Sequence, residues 1–270
     1  MLPNVSSHAR QHGIFAKKNL GQNFLFDSNI TDKIDSLSAG IAGKDVVEIG
    51  PGPAGLTRSI LNASPRKLIA IERDQRCQKL LEEVKAEFRQ LQVLYDDALN
   101  IKIAQLDLNK PKIIANLPYN IATSLLFNWL AELEHITDMT LMFQKEVAER
   151  ICAVPNCKQY GKLSVMVQLV ADTKKLFDVP PSAFTPAPKV TSSVIKIVPK
   201  QHNLTAELIA QIAKIVTVAF QSRRKMIKKS LVNYVSDSDW KMLSITSSLR
   251  PENFSISDFK IIAAFILNRG

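Results

Sequence analysis

Cysteine is scarce in this chain, and its spacing gives no sign of a metal site or a disulfide framework. The 270 residues include three cysteines, Cys77, Cys152 and Cys157, an odd number without a recognisable zinc or redox spacing. We interpret them as reduced thiols in a cytoplasmic protein, and we predict no metal site. Long apolar runs are also missing, since none approaches the roughly 20 residues that cross a bilayer. We therefore expect no membrane partner.

Acidic residues are absent from the first 26 positions, which carry Arg10, Lys17 and Lys18. The segment lacks the apolar core of a secretory signal. Its composition fits a transit peptide or a basic arm, and we favour the arm because a motif begins by Gly21. The whole chain has a formal net charge of +10, which favours a polyanionic partner, nucleic acid before membrane. We predict that Lys17 and Lys18 contact that partner.

Short apolar stretches alternate with helical patterns through the first half of the chain. This alternation predicts an α/β fold of the Rossmann-like class, with a doubly wound, mostly parallel sheet. Four successive predicted strands end at Gly50, Glu72, Asp97 and Asn116. Ligands of such sheets bind at the carboxyl ends of the strands. The four residues therefore predict a single site.

A glycine loop follows the first of these strands. Its pattern, Gly50-x-Gly52-x-x-Gly55 with the acidic Glu72 about twenty residues further on, matches a nucleotide-binding fingerprint. The first interpretation is a nicotinamide dinucleotide, whose pyrophosphate is held by backbone N–H groups at such a loop.

Two prolines in the loop favour a cofactor without phosphate. Pro51 and Pro53 have no N–H to donate, and S-adenosylmethionine would not need those donors. Its ribose hydroxyls suit the carboxylate of Glu72, and its adenine amine could donate to Asp97. The structural alternatives are a surface acid for Glu72 and, for Asp97, a helix N-cap beside Asp96.

The stretch of residues 113–120 predicts a binding element for a planar ring with an exocyclic amine. Asn116 offers a side-chain carbonyl, and Pro118 disfavours helical geometry at Leu117, which leaves backbone carbonyls without helical partners. Tyr119 offers a flat face for stacking. An adenine fits such a site. The alternative is an ordinary proline turn at the end of a strand.

A proline-rich stretch, residues 179–188, predicts a stiff loop that presents Phe184. The flanking prolines disfavour burial of this ring in a helix or strand, although a core aromatic is the alternative. Residues 199–203 indicate a boundary. We predict one domain over residues 1–200 and an all-helical domain over residues 201–270.

Residues 220–231 predict a basic helix in the second domain. On such a helix Arg224 and Lys228 are four residues apart and share a face, and Arg223 and Lys225 lie in the same run. A phosphate-facing ridge that positions RNA without reading its sequence fits this pattern. The alternative is a solvated helix face.

The chain closely resembles the ribosomal small-subunit RNA adenine dimethyltransferases, the KsgA family, in five motifs that appear in the same order over nearly its whole length. The motifs are KNLGQNFL at residues 18–25, VEIGPG at 47–52, NLPYN at 116–120, FTPAPKV at 184–190 and FQSRRK at 220–225. The chain departs from the pattern at Asn19 and Leu20, where a basic residue and an aromatic are expected, and we expect this difference to change how the arm meets RNA.

The resemblance implies a methyltransferase domain, a small helical C-terminal domain, and dimethylation of N6 on two adjacent adenines near the 3′ end of small-subunit rRNA. It implies S-adenosylmethionine as cofactor and the immature small subunit as partner, and we expect a monomer. The residues that it places at the cofactor are Asn23, Leu25, Gly50, Gly52, Glu72, Asp97 and Asn116. Those that it places around the target base are Asn116, Leu117, Pro118, Tyr119 and Phe184.

Two other functions share most of these features. A large-subunit rRNA methyltransferase of the antibiotic-resistance type uses the same chemistry, although residues 21–25 and the Asn-Leu-Pro-Tyr motif favour the small-subunit family. A non-catalytic ribosome-assembly or transcription-associated factor could keep the same fold. The intact motif from Asn116 to Tyr119 argues against lost catalysis.

Overall fold

The computed structural model describes residues 2–17, 21–38 and 40–269. Lys18, Asn19 and Leu20, which open the first motif, lie outside the described residues. The chain forms two compact units: Met1–Ala148 with Lys174–Pro199, and Glu149–Thr173 with Lys200–Gly270.

The first unit is built on a sheet whose strands largely match the predicted apolar stretches. The strands, in chain order, are β1 (Phe24–Leu25), β2 (Asp45–Ile49), β3 (Lys67–Ile71), β4 (Leu91–Leu94), β5 (Lys112–Asn116), β6 (Asp138–Gln144), β7 (Ala171–Val179), β8 (Phe184–Thr185) and β9 (Ser192–Pro199). The strands β1 and β8 form a separate two-stranded sheet, and the order in the main sheet is β4-β3-β2-β5-β6-β9-β7. Strands β2 to β6 run parallel, and β9 is antiparallel to β6.

α-Helices connect the successive parallel strands except β4 and β5, which are joined by 3₁₀ turns, and this pattern confirms the predicted Rossmann-like α/β class. The helices of this part of the chain are α1 (Val5–Gln11), α2 (Ser28–Ser38), α3 (Gly55–Asn62), α4 (Gln78–Glu87), α5 (Ala122–Leu130) and α6 (Lys145–Ile151). The strand β2 lies inside the sheet, and all five of its residues are buried, as expected for a central parallel strand.

The turn from β2 into α3 depends on glycine at two positions. Gly50 has a φ of +67°, a conformation that only glycine adopts without strain. A Cβ on Gly55 would come within 2.6 Å of the backbone oxygen of Leu25, so the helix can approach β1 this closely only without a side chain. The loop therefore lies directly against the segment that contains Asn23 and Leu25.

The second unit is mostly helical. It contains α7 (Lys162–Val170), α8 (Ala206–Gln221), α9 (Ile227–Ser230), α10 (Asp237–Leu243) and α11 (Ile256–Leu267). The sequence pattern Ser255-x-x-Asp258 is typical of a capping box, and the structure has one at the start of α11: the Ser255 hydroxyl accepts from the Asp258 N–H, and the Asp258 carboxylate accepts from the Ser255 N–H. The helix α7 packs against α8 and α11, which explains why residues 149–173 group with this unit. The predicted division at residue 200 differs from this grouping and stays a prediction.

The predicted continuous helix over residues 220–231 is wrong. The helix α8 ends at Gln221, and a turn separates it from α9, which begins at Ile227. Arg224 and Lys228 therefore do not lie one helical turn apart. Among the described helices, none combines the length and the apolar character needed to cross a membrane.

Candidate active site

A cavity lies at the carboxyl ends of β2, β3, β4 and β5. The space within it, including the solvent-filled mouth, is about 1130 Å³. Its lining comes from residues 21–25, 48–53, 55–56, 71–74, 96–98 and 116–121. All of the predicted cofactor residues are in this lining, namely Asn23, Leu25, Gly50, Gly52, Glu72, Asp97 and Asn116.

The charges of the lining favour a cationic ligand over a pyrophosphate. Apart from Glu48, whose pKa is raised by burial, its acidic residues are Glu72, Asp74, Asp96 and Asp97, and Arg73 is the basic residue among the described residues of the lining. A sulfonium or an ammonium group gains from such surroundings, whereas phosphate oxygens are repelled at short range. The cavity therefore fits the phosphate-free cofactor that the two loop prolines indicate.

Glu72 joins the end of β3 to the glycine loop. Its Oε2 accepts from the backbone N–H of Gly52 at 2.9 Å, and its Oε1 accepts from the N–H of Asp74 at 2.7 Å. Burial raises the pKa of the carboxyl, and these backbone hydrogen bonds partly oppose that shift. Glu72 is only 5% exposed, so the alternative of a surface acid is wrong.

Asp97 has a structural role as well as a place in the cavity wall. Its Oδ1 accepts from the N–H of Leu99 at 3.0 Å and caps a short 3₁₀ helix. Asp97 is therefore the helix N-cap that we gave as its structural alternative. Its Oδ2 pairs with Arg73 Nη1 at 3.1 Å. The carboxylate is thus held at the rim by two partners.

Asn116 and Leu117 present unpaired carbonyl groups at the end of β5. The Asn116 side-chain NH₂ donates to the backbone oxygen of Asn23 at 3.4 Å, an arrangement that leaves Oδ1 free to accept. Among the described residues, no donor reaches Asn116 Oδ1 or the Leu117 backbone oxygen. The Pro118 oxygen, in contrast, accepts from the N–H groups that begin α5. Two acceptors therefore remain beside the ring of Tyr119.

Tyr119 is half-buried in the cavity wall. Its hydroxyl lies 2.6 Å from the Oγ of Ser192, and burial raises the pKa of the phenol above its ordinary value. The phenol therefore stays protonated at neutral pH.

The expectation of an accessible Phe184 ring is wrong. Phe184 is 4% exposed and belongs to the same apolar cluster as Phe24 and Leu25. The stretch that was expected to lack regular structure contains the short strand β8, in which Phe184 pairs with Leu25 of β1. That pairing turns the ring into the core in spite of the flanking prolines. Of the described residues that line the cavity, none belongs to this stretch, and a stacking role for Phe184 stays a prediction.

Glu48 is a cavity residue that the sequence analysis missed. It is 1% exposed, and its Oε2 has no hydrogen-bond partner among the described residues. Burial raises the pKa of its carboxyl to about 8; the Thr57 hydroxyl opposes the rise, and the charge of Glu72 adds to it. The sequence feature that could have identified Glu48 is an acidic residue within an apolar strand, just before the glycine loop.

The basic residues that we predicted to contact RNA differ in their surroundings. Lys17 is described and lies next to the rim residue Gln22, whose side chain accepts from the Lys17 N–H at 3.0 Å, whereas Lys18 lies outside the described residues. The Nη2 of Arg223 donates to the backbone oxygens of Lys158 and Tyr160, each at 2.7 Å. These bonds give Arg223 a structural role in the second unit.

The segment before the first motif is folded over its first part. Residues 5–11 form α1, in which His8 and Ala9 are buried. The Nε2 of His8 lies 2.7 Å from a carboxylate oxygen of Glu83, and that of His12 lies 3.1 Å from the other oxygen. The first 26 residues are therefore not a wholly extended arm.

This group of His8, His12 and Glu83 is the cluster of the described residues that could hold a metal ion. The guanidinium of Arg58 lies 2.6 Å from His8 Nδ1. Because a guanidinium can only donate, Nδ1 accepts and the proton of a neutral His8 lies on Nε2, facing Glu83. A metal at Nε2 would force the proton of the neutral ring onto Nδ1, which faces the Arg58 guanidinium, so the cluster fits a hydrogen-bonded charge network better.

Comparison with known proteins decides the family. Residues 14–266 match the family model of ribosomal RNA adenine dimethylase. The chain belongs to this family. A ribosomal RNA small subunit methyltransferase A from Chelativorans sp. (strain BNC1) is 43% identical over 268 residues, which cover 97% of each chain.

Two solved structures share the fold. A dimethyladenosine transferase from Plasmodium falciparum has a TM-score of 0.77 at 23% identity, covering 92% of this chain and 98% of that one. The 23S rRNA methyltransferase ErmE has a TM-score of 0.72 at 20% identity, covering 90% of this chain and 98% of that one. The predicted family and fold class are confirmed, and the chain is an rRNA adenine methyltransferase rather than a dehydrogenase. The relatives do not favour the large-subunit alternative.

Glu72→Ala should weaken binding of S-adenosylmethionine by roughly 1.5–3 kcal/mol, the range of a charge-assisted hydrogen bond. Glu72→Gln keeps an oxygen for the Gly52 N–H but removes the charge, and its loss of affinity separates recognition of the ribose from support of the loop. Calorimetric titration of both variants measures the effect. Unchanged affinity in folded Glu72→Ala would remove Glu72 from the cofactor site.

Proposed function

We propose that this protein transfers two methyl groups from S-adenosylmethionine to N6 of each of two adjacent adenines in the 3′-terminal hairpin of small-subunit rRNA. The substrate would be the immature small ribosomal subunit, and the reaction would contribute to its maturation. The observation that carries the proposal is the pair of free acceptors, Asn116 Oδ1 and the Leu117 oxygen, beside Tyr119 at the edge of an acidic cavity.

The acceptors address the main chemical difficulty of the reaction. The adenine amine is a poor nucleophile because its lone pair is delocalised into the ring. If Asn116 Oδ1 and the Leu117 oxygen accept its two N–H bonds, the nitrogen is drawn towards tetrahedral geometry and its lone pair becomes available. The base must leave its stack to enter the site, and Tyr119 supplies a face against which it can rest.

The cofactor, when bound, supplies a methyl group that is already activated as a sulfonium. The residues of this chain bring the amine in line with that methyl group at about 3 Å, and such positioning accounts for much of the acceleration. With the cofactor bound, the N6 lone pair would form the N–CH₃ bond as the S–CH₃ electron pair stays on sulfur, and the nitrogen would then lose a proton to water. The product ammonium is acidic enough that no strong general base is required of the protein.

Transfer of tritiated methyl groups to immature small subunits and, in a separate reaction, to immature large subunits tests this function. We expect label on two adjacent adenines near the 3′ end of the small-subunit rRNA after nuclease mapping, and none on large-subunit rRNA. Label on large-subunit rRNA alone would favour the large-subunit alternative. Cofactor binding without transfer to either subunit would favour a non-catalytic assembly factor.

The exposed cations after α8 support an RNA contact in the second unit. Arg223, Arg224 and Lys225 are all exposed, but Arg223 is also held by backbone oxygens. The break after Gln221 places Arg224 and Lys225 on a turn rather than on a helix face. Lys228 is half-buried in α9, and a role for it in RNA binding stays a prediction.

Arg224→Ala combined with Lys225→Ala should weaken subunit binding and make its logarithmic salt dependence shallower by roughly 0.7–0.9 for each phosphate that the variant no longer neutralises. Cofactor affinity should not change, because neither residue lines the cavity. Binding titrations at several salt concentrations measure the slope. The control removes the same charge from two exposed lysines of the first unit, Lys44 and Lys79, and equal slopes for both double variants would contradict the prediction.

The predicted monomer and the predicted cytoplasmic location belong to the same proposal. The relatives are named as methyltransferases of small-subunit ribosomal RNA. An rRNA substrate of this kind supports the predicted cytoplasmic location. Light scattering of the purified protein measures the oligomeric state.

A further inference from the structure

Ser192 brings a buried hydroxyl to the same sheet edge as Asn116. It is the first residue of β9, and its backbone lies opposite Gln144 at the end of β6. Because β9 runs antiparallel to β6, the start of β9 lies at the carboxyl ends of the parallel strands. The serine is fully buried, so it is not available to touch RNA or a cofactor.

The hydroxyl of Ser192 is placed to fix the ring of Tyr119. The two oxygens are 2.6 Å apart, a normal distance for a hydrogen bond between hydroxyls. The backbone around Tyr119 is already held, because the Pro118 oxygen accepts from the N–H groups of Ile121 and Ala122. The remaining freedom of the ring is rotation about its side-chain bonds, and a bond at the far end of the phenol removes most of it.

We propose that Ser192 is a positioning residue that holds Tyr119 in the orientation in which its ring stacks on the target adenine. The proposal rests on the proposed function, in which Tyr119 receives that base. A ring that is already fixed loses less entropy when the base arrives, and a fixed ring also fixes where N6 lies relative to Asn116 and Leu117. Small errors in that placement are costly for an in-line transfer.

The neighbouring residue provides a matched control. Ser193 is also fully buried on β9, but successive side chains of a strand point to opposite faces. Its hydroxyl donates to Asp178 Oδ1 on β7 at 2.7 Å. Ser193→Ala therefore removes a buried hydroxyl from the same strand without touching Tyr119.

The test is a double-mutant cycle of Ser192→Ala and Tyr119→Phe, with methyl transfer to immature subunits and cofactor affinity measured for each variant. Each single variant should lower kcat/KM for the subunit by roughly 5- to 10-fold, the effect of one net hydrogen bond. The double variant should be no worse than either single one, because both remove the same bond. Ser193→Ala should stay within about twofold of the wild type, and cofactor affinity should not change in any variant.

Several outcomes would overturn the proposal. Additive losses in the double variant would show that the two residues act independently, and equal losses in Ser192→Ala and Ser193→Ala would show a general effect on β9. If Ser192→Ala does not fold, Tyr119→Phe removes the same bond from the other side, and wild-type transfer by it would contradict the proposal.

Tyr119→Ala separates this inference from the function on which it rests. Loss of transfer with cofactor affinity retained supports the assignment of the ring to the base. Unchanged transfer by Tyr119→Ala would remove the ring from the reaction altogether. Loss of cofactor binding would place the ring in the cofactor site, and the proposed role of Tyr119 would then fail together with that of Ser192.

Discussion

Asn116→Ala should reduce methyl transfer by roughly 10²-fold or more, the cost of removing one group that is aimed at the reacting centre. The reason is that Asn116 Oδ1 is one of two acceptors that the described residues leave unpaired beside Tyr119. Without it the adenine amine keeps only the Leu117 oxygen, and its lone pair remains delocalised. Single-turnover transfer to immature subunits, at saturating cofactor, measures the chemical step.

Two further variants test whether the loss of methyl transfer comes from the missing acceptor oxygen of Asn116. Asn116→Asp keeps an acceptor oxygen, so it should retain more transfer than Asn116→Ala, although it loses the bond from the side-chain NH₂ to the Asn23 oxygen. Asn128→Ala removes an exposed amide from α5 outside the cavity and should leave transfer unchanged. Equal transfer by the alanine and wild-type proteins at position 116 would remove Asn116 from the mechanism.

Glu48→Gln should stabilise the protein, and the gain should grow as the pH rises. Burial raises the pKa of Glu48 to about 8 in the folded protein, from an ordinary value of 4.5. Between these values the folded state keeps a proton that the unfolded state has lost, so the free energy of unfolding falls with increasing pH. The stability that Glu48 contributes is complete below pH 4.5 and is lost by the time the pH passes 8.

Glutamine has the shape of the protonated acid but no proton to lose, so it avoids this loss. At neutral pH the difference from the wild type should reach roughly 3 kcal/mol, since each pKa unit corresponds to about 1.4 kcal/mol. Urea unfolding at pH 5, 6, 7 and 8 measures it. Glu134→Gln, at an exposed position, is the control. A constant difference between Glu48→Gln and the wild type across this range would show that Glu48 is ionised in the folded protein.

The sequence by itself determined the class of fold and the location of the site. The alternation of strands and helices imposes a parallel sheet, and the carboxyl ends of parallel strands meet at one edge. Gly50, Glu72, Asp97 and Asn116 therefore line one cavity although they are spread over 67 positions. The capping box at Ser255 and Asp258 was equally readable, because both of its bonds join residues three positions apart.

The tertiary structure alone decided the features that depend on distant pairing. Phe184 is buried because β8 pairs with β1, about 160 positions earlier in the chain, and no local pattern of prolines encodes that pairing. The break after Gln221 is accompanied by the bonds from Arg223 to the oxygens of Lys158 and Tyr160, more than 60 positions away. In both cases long-range packing outweighs local propensity.

The same reason accounts for Ser192 and Glu48. Ser192 reaches Tyr119 across 73 positions because β9 enters the sheet antiparallel to β6, a topology that strand periodicity does not specify. Glu48 was visible as an acid in an apolar strand, but its charge state depends on how completely the surrounding sheet and loop exclude water. Sequence determines which groups a protein has, whereas desolvation and long-range packing set their protonation and orientation.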